Sequence, residues 1–245
     1  MPGRPLKIKI KNEHFILKTP IQPPFPDGLE FSVFGTGCFW GSEKAFWRLP
    51  GVYATAVGYC GGITPNPTYE EVCSGMTDHN ESVLVVYDPK TVAYADLLKL
   101  FWASHDPTQG LGQGNDRGSQ YRSGIYCPLE YQKQLAESSK SAYETRLRSE
   151  GKGPITTEII HPLSIDDFFY AEDYHQQYLA KPGSRQYCSA EPTGIEIPDF
   201  SEWAPEELKT DKFRPKIPEG YWIKFGPKPG CTINCPNNQV SLQDI

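Results

Sequence analysis

Several things are scarce in this chain. No apolar run is long enough to span a membrane, and hydrophobic residues make up 38% of the 245, a composition that points to a folded domain with its own core. Positive charge is not in excess. With 24 Lys and Arg against 30 Asp and Glu, the formal net charge is −6, so the global basic field that draws proteins to nucleic acid or anionic membrane is missing. The first residues include Arg4, Lys7, Lys9, Lys11 and Lys18, but they lack the apolar stretch of a secretion signal and the Arg/Ser richness of a transit peptide; a cytoplasmic location is the expectation. Seven cysteines, odd in number and scattered, do not form a disulfide framework, and at least one thiol is therefore free or reactive. Zinc spacing is also missing. Cys231 and Cys235 form a C-x₃-C with no second ligand pair, and the five histidines are dispersed, so no metal site is expected.

What is present organises into three parts. Residues 1–29 carry Pro20, Pro23, Pro24 and Pro26, which fix φ and remove backbone donors, and read as an irregular arm. From Glu30 the pattern predicts a strand over Glu30–Gly35, a helix over Ser42–Leu49 stopped by Pro50-Gly51, and strands over Tyr53–Tyr59 and Ser82–Tyr87. An amphipathic helix over Tyr94–Ser104, a polar helix over Glu130–Arg148 and short strands at Arg122–Tyr126 and Glu158–His161 follow. This irregular alternation favours an α+β sandwich. After Ser189 come eight prolines and little periodicity, yet Trp203, Trp222 and Phe225 argue for a tail packed on the core rather than free coil.

Candidate chemistry centres on Cys38, in Gly37-Cys38-Phe39-Trp40-Gly41 at the strand-to-helix junction. Free N–H groups at a helix N-terminus stabilise a thiolate, so this placement predicts a lowered thiol pKa. Phe39 and Trp40 would set aromatic walls beside the sulfur. A buried structural cysteine explains the same placement about equally well. Glu81 opens a predicted strand; beside aromatic walls its carboxyl would be pushed toward the neutral, proton-donating form, whereas at a solvated strand end it would be an ordinary carboxylate. Tyr69 and Tyr121 lie on irregular segments and can each donate a phenolic hydrogen bond. His175 follows Glu172-Asp173-Tyr174 and could orient groups or exchange protons. With Cys38 as nucleophile and His175 or His79 as base, acyl transfer is a second reading; a redox-sensing adaptor with a partner-binding Pro-rich tail is a third.

The ordered motifs Gly37-Cys38-Phe39-Trp40-Gly41, Pro65-Asn66-Pro67-Thr68-Tyr69, Glu71-Val72-Cys73-Ser74-Gly75, Gly114-Asn115-Asp116, Gln120-Tyr121-Arg122-Ser123 and Tyr170-Ala171-Glu172-Asp173-Tyr174-His175-Gln176-Gln177-Tyr178-Leu179 resemble the type A peptide methionine-(S)-sulfoxide reductases. The resemblance covers roughly residues 30 to 188. It implies an α+β, two-layer ferredoxin-like sandwich with a mixed sheet, long irregular loops and a Pro-rich C-terminal extension over 189–245. It also implies that Cys38 attacks the sulfoxide sulfur of free or protein-bound methionine sulfoxide and Glu81 protonates its oxygen. Tyr69 and Tyr121 would hydrogen-bond that oxygen, Phe39 and Trp40 would hold the methyl group, and Asp116 and His175 would support the site.

By the same resemblance Cys38 is left as a sulfenic acid, Cys188 resolves it as a disulfide, and thioredoxin, with no bound cofactor, regenerates the thiols. Cys231 or Cys235 would be a second recycling cysteine. Here the chain departs from the family pattern: Ser189-Ala190-Glu191-Pro192 replaces a short Gly-rich stretch, and Cys231 lies over forty residues beyond Cys188. Cys60, Cys73 and Cys127 read as packing residues.

Overall fold

In the computed structural model, which describes residues 2–228 and 235–245, the chain runs through β1 (Glu30–Thr36), α1 (Phe39–Trp47), β2 (Val52–Cys60), α2 (Tyr69–Cys73), β3 (Asn80–Tyr87) and α3 (Tyr94–Ser104). Two-residue strands β4 (Gly112–Gln113) and β5 (Asp116–Arg117) follow, then β6 (Ser123–Tyr126), α4 (Glu130–Ser149), β7 (Glu158–Ile160) and β8 (Phe169–Tyr170). The C-terminal segment contributes α5 (Phe200–Trp203) and α6 (Glu219–Phe225).

Six strands form one sheet in the order β7-β6-β1-β3-β2-β8. The β1–β3, β1–β6, β2–β3 and β2–β8 pairs are antiparallel and β6–β7 is parallel, so the sheet is mixed. Every residue of β3 is buried. Val83 and Val85 enter one apolar cluster with Phe34, Phe46, Leu97 and Phe101, while Leu84 and Val86 enter another with Val33, Ala56 and Ile21. Alternate side chains point to opposite faces, so a strand covered on both must be apolar throughout. Each such side chain stabilises the fold by roughly 1.5–3 kcal/mol. Helices α1, α3 and α4 cover the first face, and the N-terminal arm lays Ile10, Ile21, Phe25 and Leu29 on the second.

The C-terminal tail is anchored. Asp96, in the first turn of α3, accepts the backbone N–H groups of Lys216 (2.8 Å) and Ile217 (3.3 Å). Trp47 Nε1 donates to the Asn237 carbonyl at 2.7 Å, and Gln239 Nε2 donates to the carbonyls of Leu49 and Val52. Trp203, Trp222 and Phe225 pack against the core, as their aromatic character predicts. Sequence patterning missed α2, β4, β5, β8, α5 and α6, which are too short to show a clear period. It also started α1 three residues late: Phe39 and Trp40 belong to its first turn. Among the described residues no helix is long and apolar enough to cross a membrane.

Candidate active site

Strand β1 reaches the site through Gly37, whose φ of +95° suits glycine and where a Cβ would come within 2.7 Å of the Gln113 side chain. Cys38 then occupies the N-cap of α1 and is buried. The Trp40 backbone N–H is hydrogen-bonded to its sulfur and pulls its pKa down, but this is outweighed. Burial, and then the nearby Glu81 carboxyl, push the thiol well above its usual range. The lowered thiol pKa expected from a helix N-terminus is therefore corrected: one N–H does not offset removal of the sulfur from water.

Glu81, on β3 directly across from Tyr59 of β2, is 1% exposed. Its Oε2 accepts the Phe39 backbone N–H at 3.1 Å. Burial chiefly, with a contribution from Asp116, raises the carboxyl to about 8, so it carries a proton at neutral pH. A neutral Glu81 also relieves the charge that would oppose thiolate formation at Cys38.

Tyr69 opens α2, which is capped by the reciprocal pair Thr68 and Glu71. Glu172 ties this helix to the sheet, accepting the Tyr69 backbone N–H at 2.9 Å and the Tyr59 hydroxyl at 2.8 Å. Tyr121 ends a 3₁₀ turn, Ser119–Tyr121. Burial first and Glu81 second raise both the Tyr69 and Tyr121 phenols, which keeps them as O–H donors.

Phe39 is fully enclosed, and its ring lies 6.4 Å from that of Trp40. Trp40 is fixed twice: its indole stacks on Tyr178 at 4.1 Å, and its Nε1 donates to His175 Nδ1 at 3.0 Å. Burial lowers His175 to about 4, so the ring is neutral; because Nδ1 accepts from Trp40, the proton resides on Nε2. That Nε2 is buried without a hydrogen-bond partner among the described residues. The His175 ring also contacts Phe39 and Tyr69. On the other flank, Asp116 Oδ1 accepts the Tyr187 hydroxyl at 2.8 Å. Next to Tyr187, half-buried Cys188 lies near enough to Cys38 for its charge to be felt there. Two thiols, one buried acid, two phenols and an aromatic wall thus converge.

The peptide methionine sulfoxide reductase family model matches residues 30–205. A peptide methionine sulfoxide reductase of Synechocystis sp. is 56% identical over 202 residues, covering 82% of this chain and 89% of that protein. One from Rhodospirillum centenum is 57% identical over 199 residues, covering 81% and 89%. This chain belongs to the peptide methionine sulfoxide reductase family. As a member it is an oxidoreductase acting on methionine sulfoxide. Among solved structures, methionine sulfoxide reductase A of Corynebacterium diphtheriae is 44% identical with a TM-score of 0.70, covering 81% of this chain and 96% of that one. The reduced form of Mxr1 from Saccharomyces cerevisiae is 31% identical with a TM-score of 0.58, covering 67% and 91%.

The acyl-transfer reading of this reductase-family site loses its base. His175 is held neutral with Nδ1 occupied by Trp40. His79 has both ring nitrogens on backbone, Nδ1 accepting from Gly62 N at 3.1 Å and Nε2 at 2.6 Å from the Thr64 carbonyl. The remaining cysteines divide. Cys60 and Cys127 are buried, and burial pushes each thiol up to about 12, in line with a packing role. Cys73 is not a packing residue: it is exposed, and its thiol is hydrogen-bonded to the Tyr69 hydroxyl. Cys235 sits beside Lys44 and Tyr221, whereas Cys231 lies outside the described residues. Among the described residues no group of three or more His, Cys, Asp or Glu could hold a metal ion. Glu172, Tyr178 and Tyr187 were not singled out from sequence, although the first two lie within the motif that contains His175; their roles depend on distant partners.

Proposed function

We propose that this chain reduces the S-sulfoxide of methionine, free and protein-bound, by nucleophilic attack of Cys38 on sulfur. The observation that carries this reading is the pairing of Cys38 with a fully buried carboxyl, Glu81, raised to about 8 and tethered to Phe39 N in the turn that bears the nucleophile. Glu81 gives its proton to the sulfoxide oxygen as the Cys38 sulfur bonds to the substrate sulfur. The Cys38 thiol proton restores Glu81. The net exchange is thiol plus sulfoxide giving sulfenic acid plus thioether. The Tyr69 and Tyr121 hydroxyls hydrogen-bond the oxygen as its charge grows, while Phe39 and Trp40 enclose the methyl group. Asp116 and His175 act through Tyr187 and Trp40.

Cys188 then condenses with the sulfenic acid, releasing water and leaving a Cys38–Cys188 disulfide. Thioredoxin regenerates the thiols, directly or after transfer to Cys235 or Cys231, and no bound cofactor takes part. Repair of oxidised proteins in the cytoplasm is the setting we assign. The strand order β6-β1-β3-β2, with α1 and α3 as crossovers, supports a ferredoxin-like core over residues 30–188, flanked by the 1–29 arm and the 189–245 tail. The test is turnover of a peptide methionine S-sulfoxide with dithiothreitol. Wild type should release thioether and Cys38→Ser none; equal release by the variant would sink the proposal.

A further inference from the structure

Beneath the aromatic wall lies a polar network that the reduction chemistry does not use. Glu43, five residues after Cys38 on α1, is completely buried. Its Oε2 accepts the Gln177 backbone N–H at 2.8 Å, and its Oε1 accepts Gln177 Nε2 at 2.7 Å and the Thr55 hydroxyl at 3.0 Å. Thr55 Oγ1 in turn accepts from His14 Nε2 at 2.9 Å, the direction being set because His14 Nδ1 accepts the backbone N–H groups of Ile16 and Leu17. His14 belongs to the N-terminal arm and is 0% exposed. The remaining acceptor of Gln177, Oε1, takes the Phe15 backbone N–H at 2.9 Å, and Lys11 N donates to Asp173 Oδ1 at 2.8 Å.

These contacts bracket His175. The arm holds Asp173 on one side and Gln177 on the other, and Gln177 is kept at a positive φ of 47°, a conformation that a non-glycine residue adopts only when its surroundings hold it there. Immediately next to Gln177 is Tyr178, which stacks on Trp40, and His175 fixes the Trp40 indole nitrogen. Both restraints on Trp40 therefore originate in a loop clamped between α1 and the arm.

We infer that the N-terminal arm, through Lys11, His14 and Phe15, together with Glu43 and Gln177, forms a positioning clamp that sets the width of the methyl-binding wall at Trp40 and so the selectivity for methyl sulfoxides. None of the five touches the reacting atoms. A slack loop lets Trp40 tilt and admits a larger alkyl group, while the geometry of Cys38 and Glu81 is retained. The inference rests on the proposed role of Trp40 at the substrate methyl group. Selectivity for one methylene in an apolar pocket is about 10–200-fold, and this is the range within which loosening should act.

The experiment uses full-length wild type and His14→Ala, His14→Gln, Gln177→Ala and Lys11→Pro, with methionine S-sulfoxide and its S-ethyl homologue as substrates and dithiothreitol as reductant. His14→Ala and Gln177→Ala should leave kcat for the methyl substrate within about twofold, raise its KM, and lower the methyl-over-ethyl ratio of kcat/KM by about tenfold. His14→Gln, whose amide can still donate to Thr55, should recover most of that ratio. Lys11→Pro, at an exposed position, removes the backbone donor to Asp173 together with the surface ion pair from Lys11 Nζ to Glu13, and should lower the ratio about threefold even if the buried variants fold poorly. An unchanged ratio in Lys11→Pro and in every other variant that folds overturns the inference. Turnover by a Cys38→Ser control would instead overturn the reading of the site itself.

Discussion

Glu81 and Phe39 are joined by a hydrogen bond of 3.1 Å from the Phe39 backbone N–H to the Glu81 carboxyl, which ties the acid on the sheet to the first turn of the helix that Cys38 caps. The bond satisfies a helix N-terminal donor that would otherwise have no intrahelical partner. It also holds the carboxyl against its own burial, which raises it to about 8.

Replacing Glu81 by Gln keeps the shape and removes the proton. The expected outcome is a loss of roughly 10²–10⁴ in kcat, measured as single-turnover thioether release. In wild type the same rate should decline as pH rises through about 8, where the acid loses its proton. A pH-independent rate between 6 and 9 for wild type would remove Glu81 as the donor.

Stability should carry the same signature. The folded-state pKa of Glu81 is raised from an ordinary value of 4.5 to about 8, so the folded state binds more protons than the unfolded one across that interval. The contribution is fully present below about 4.5 and is lost as pH rises toward 8, with a limiting slope of roughly 1.4 kcal/mol per pH unit. Glu81→Gln lacks this contribution. Its melting temperature relative to wild type should therefore rise between pH 5 and pH 8, as read by calorimetry; a constant difference would show that Glu81 is ionised in the fold.

Trp40→Phe keeps an aromatic wall but loses the indole donor to His175 and part of the stack on Tyr178. The expected result is a KM increase of about tenfold from one lost hydrogen bond and reduced packing, with kcat changed far less. Steady-state kinetics on a peptide sulfoxide check this, and an effect confined to kcat would contradict a wall role.

Tyr187→Phe removes the hydroxyl that Asp116 accepts at 2.8 Å and frees the segment carrying Cys188. Disulfide formation should slow several-fold while the first reduction is spared, as measured by thiol counting in a single turnover. In the same assay Cys188→Ser should stop multiple turnover with thioredoxin. Full activity in Cys188→Ser would transfer the resolving role to Cys235 or Cys231.

The places of the candidate residues in the fold were readable from local pattern, while their roles came from the family resemblance. Cys38, Phe39, Trp40 and Glu81 lie at ends of elements marked by strand alternation and a Gly-bearing turn, and such signals depend only on near neighbours in sequence. The protonation states were not legible in the same way. Whether Cys38 is a thiol and Glu81 an acid depends on how much water the rest of the fold excludes. Cys73 shows the limit: its position suggested packing, but the structure leaves it exposed and bonded to Tyr69. The arm shows it again, because no periodicity links His14 to Gln177.

By itself, then, the sequence determined the strands and longer helices, the motif order that marks the family, and the place of Cys38 at a helix start. These follow from side-chain periodicity and backbone preference, which act over a few residues. Only the tertiary structure decided which carboxyl is neutral, which histidine is locked to Trp40, and how residues 11–15 reach the loop around His175. Those outcomes depend on burial and on hydrogen bonds across more than a hundred residues of chain, where the partner is set by packing rather than by neighbours in sequence.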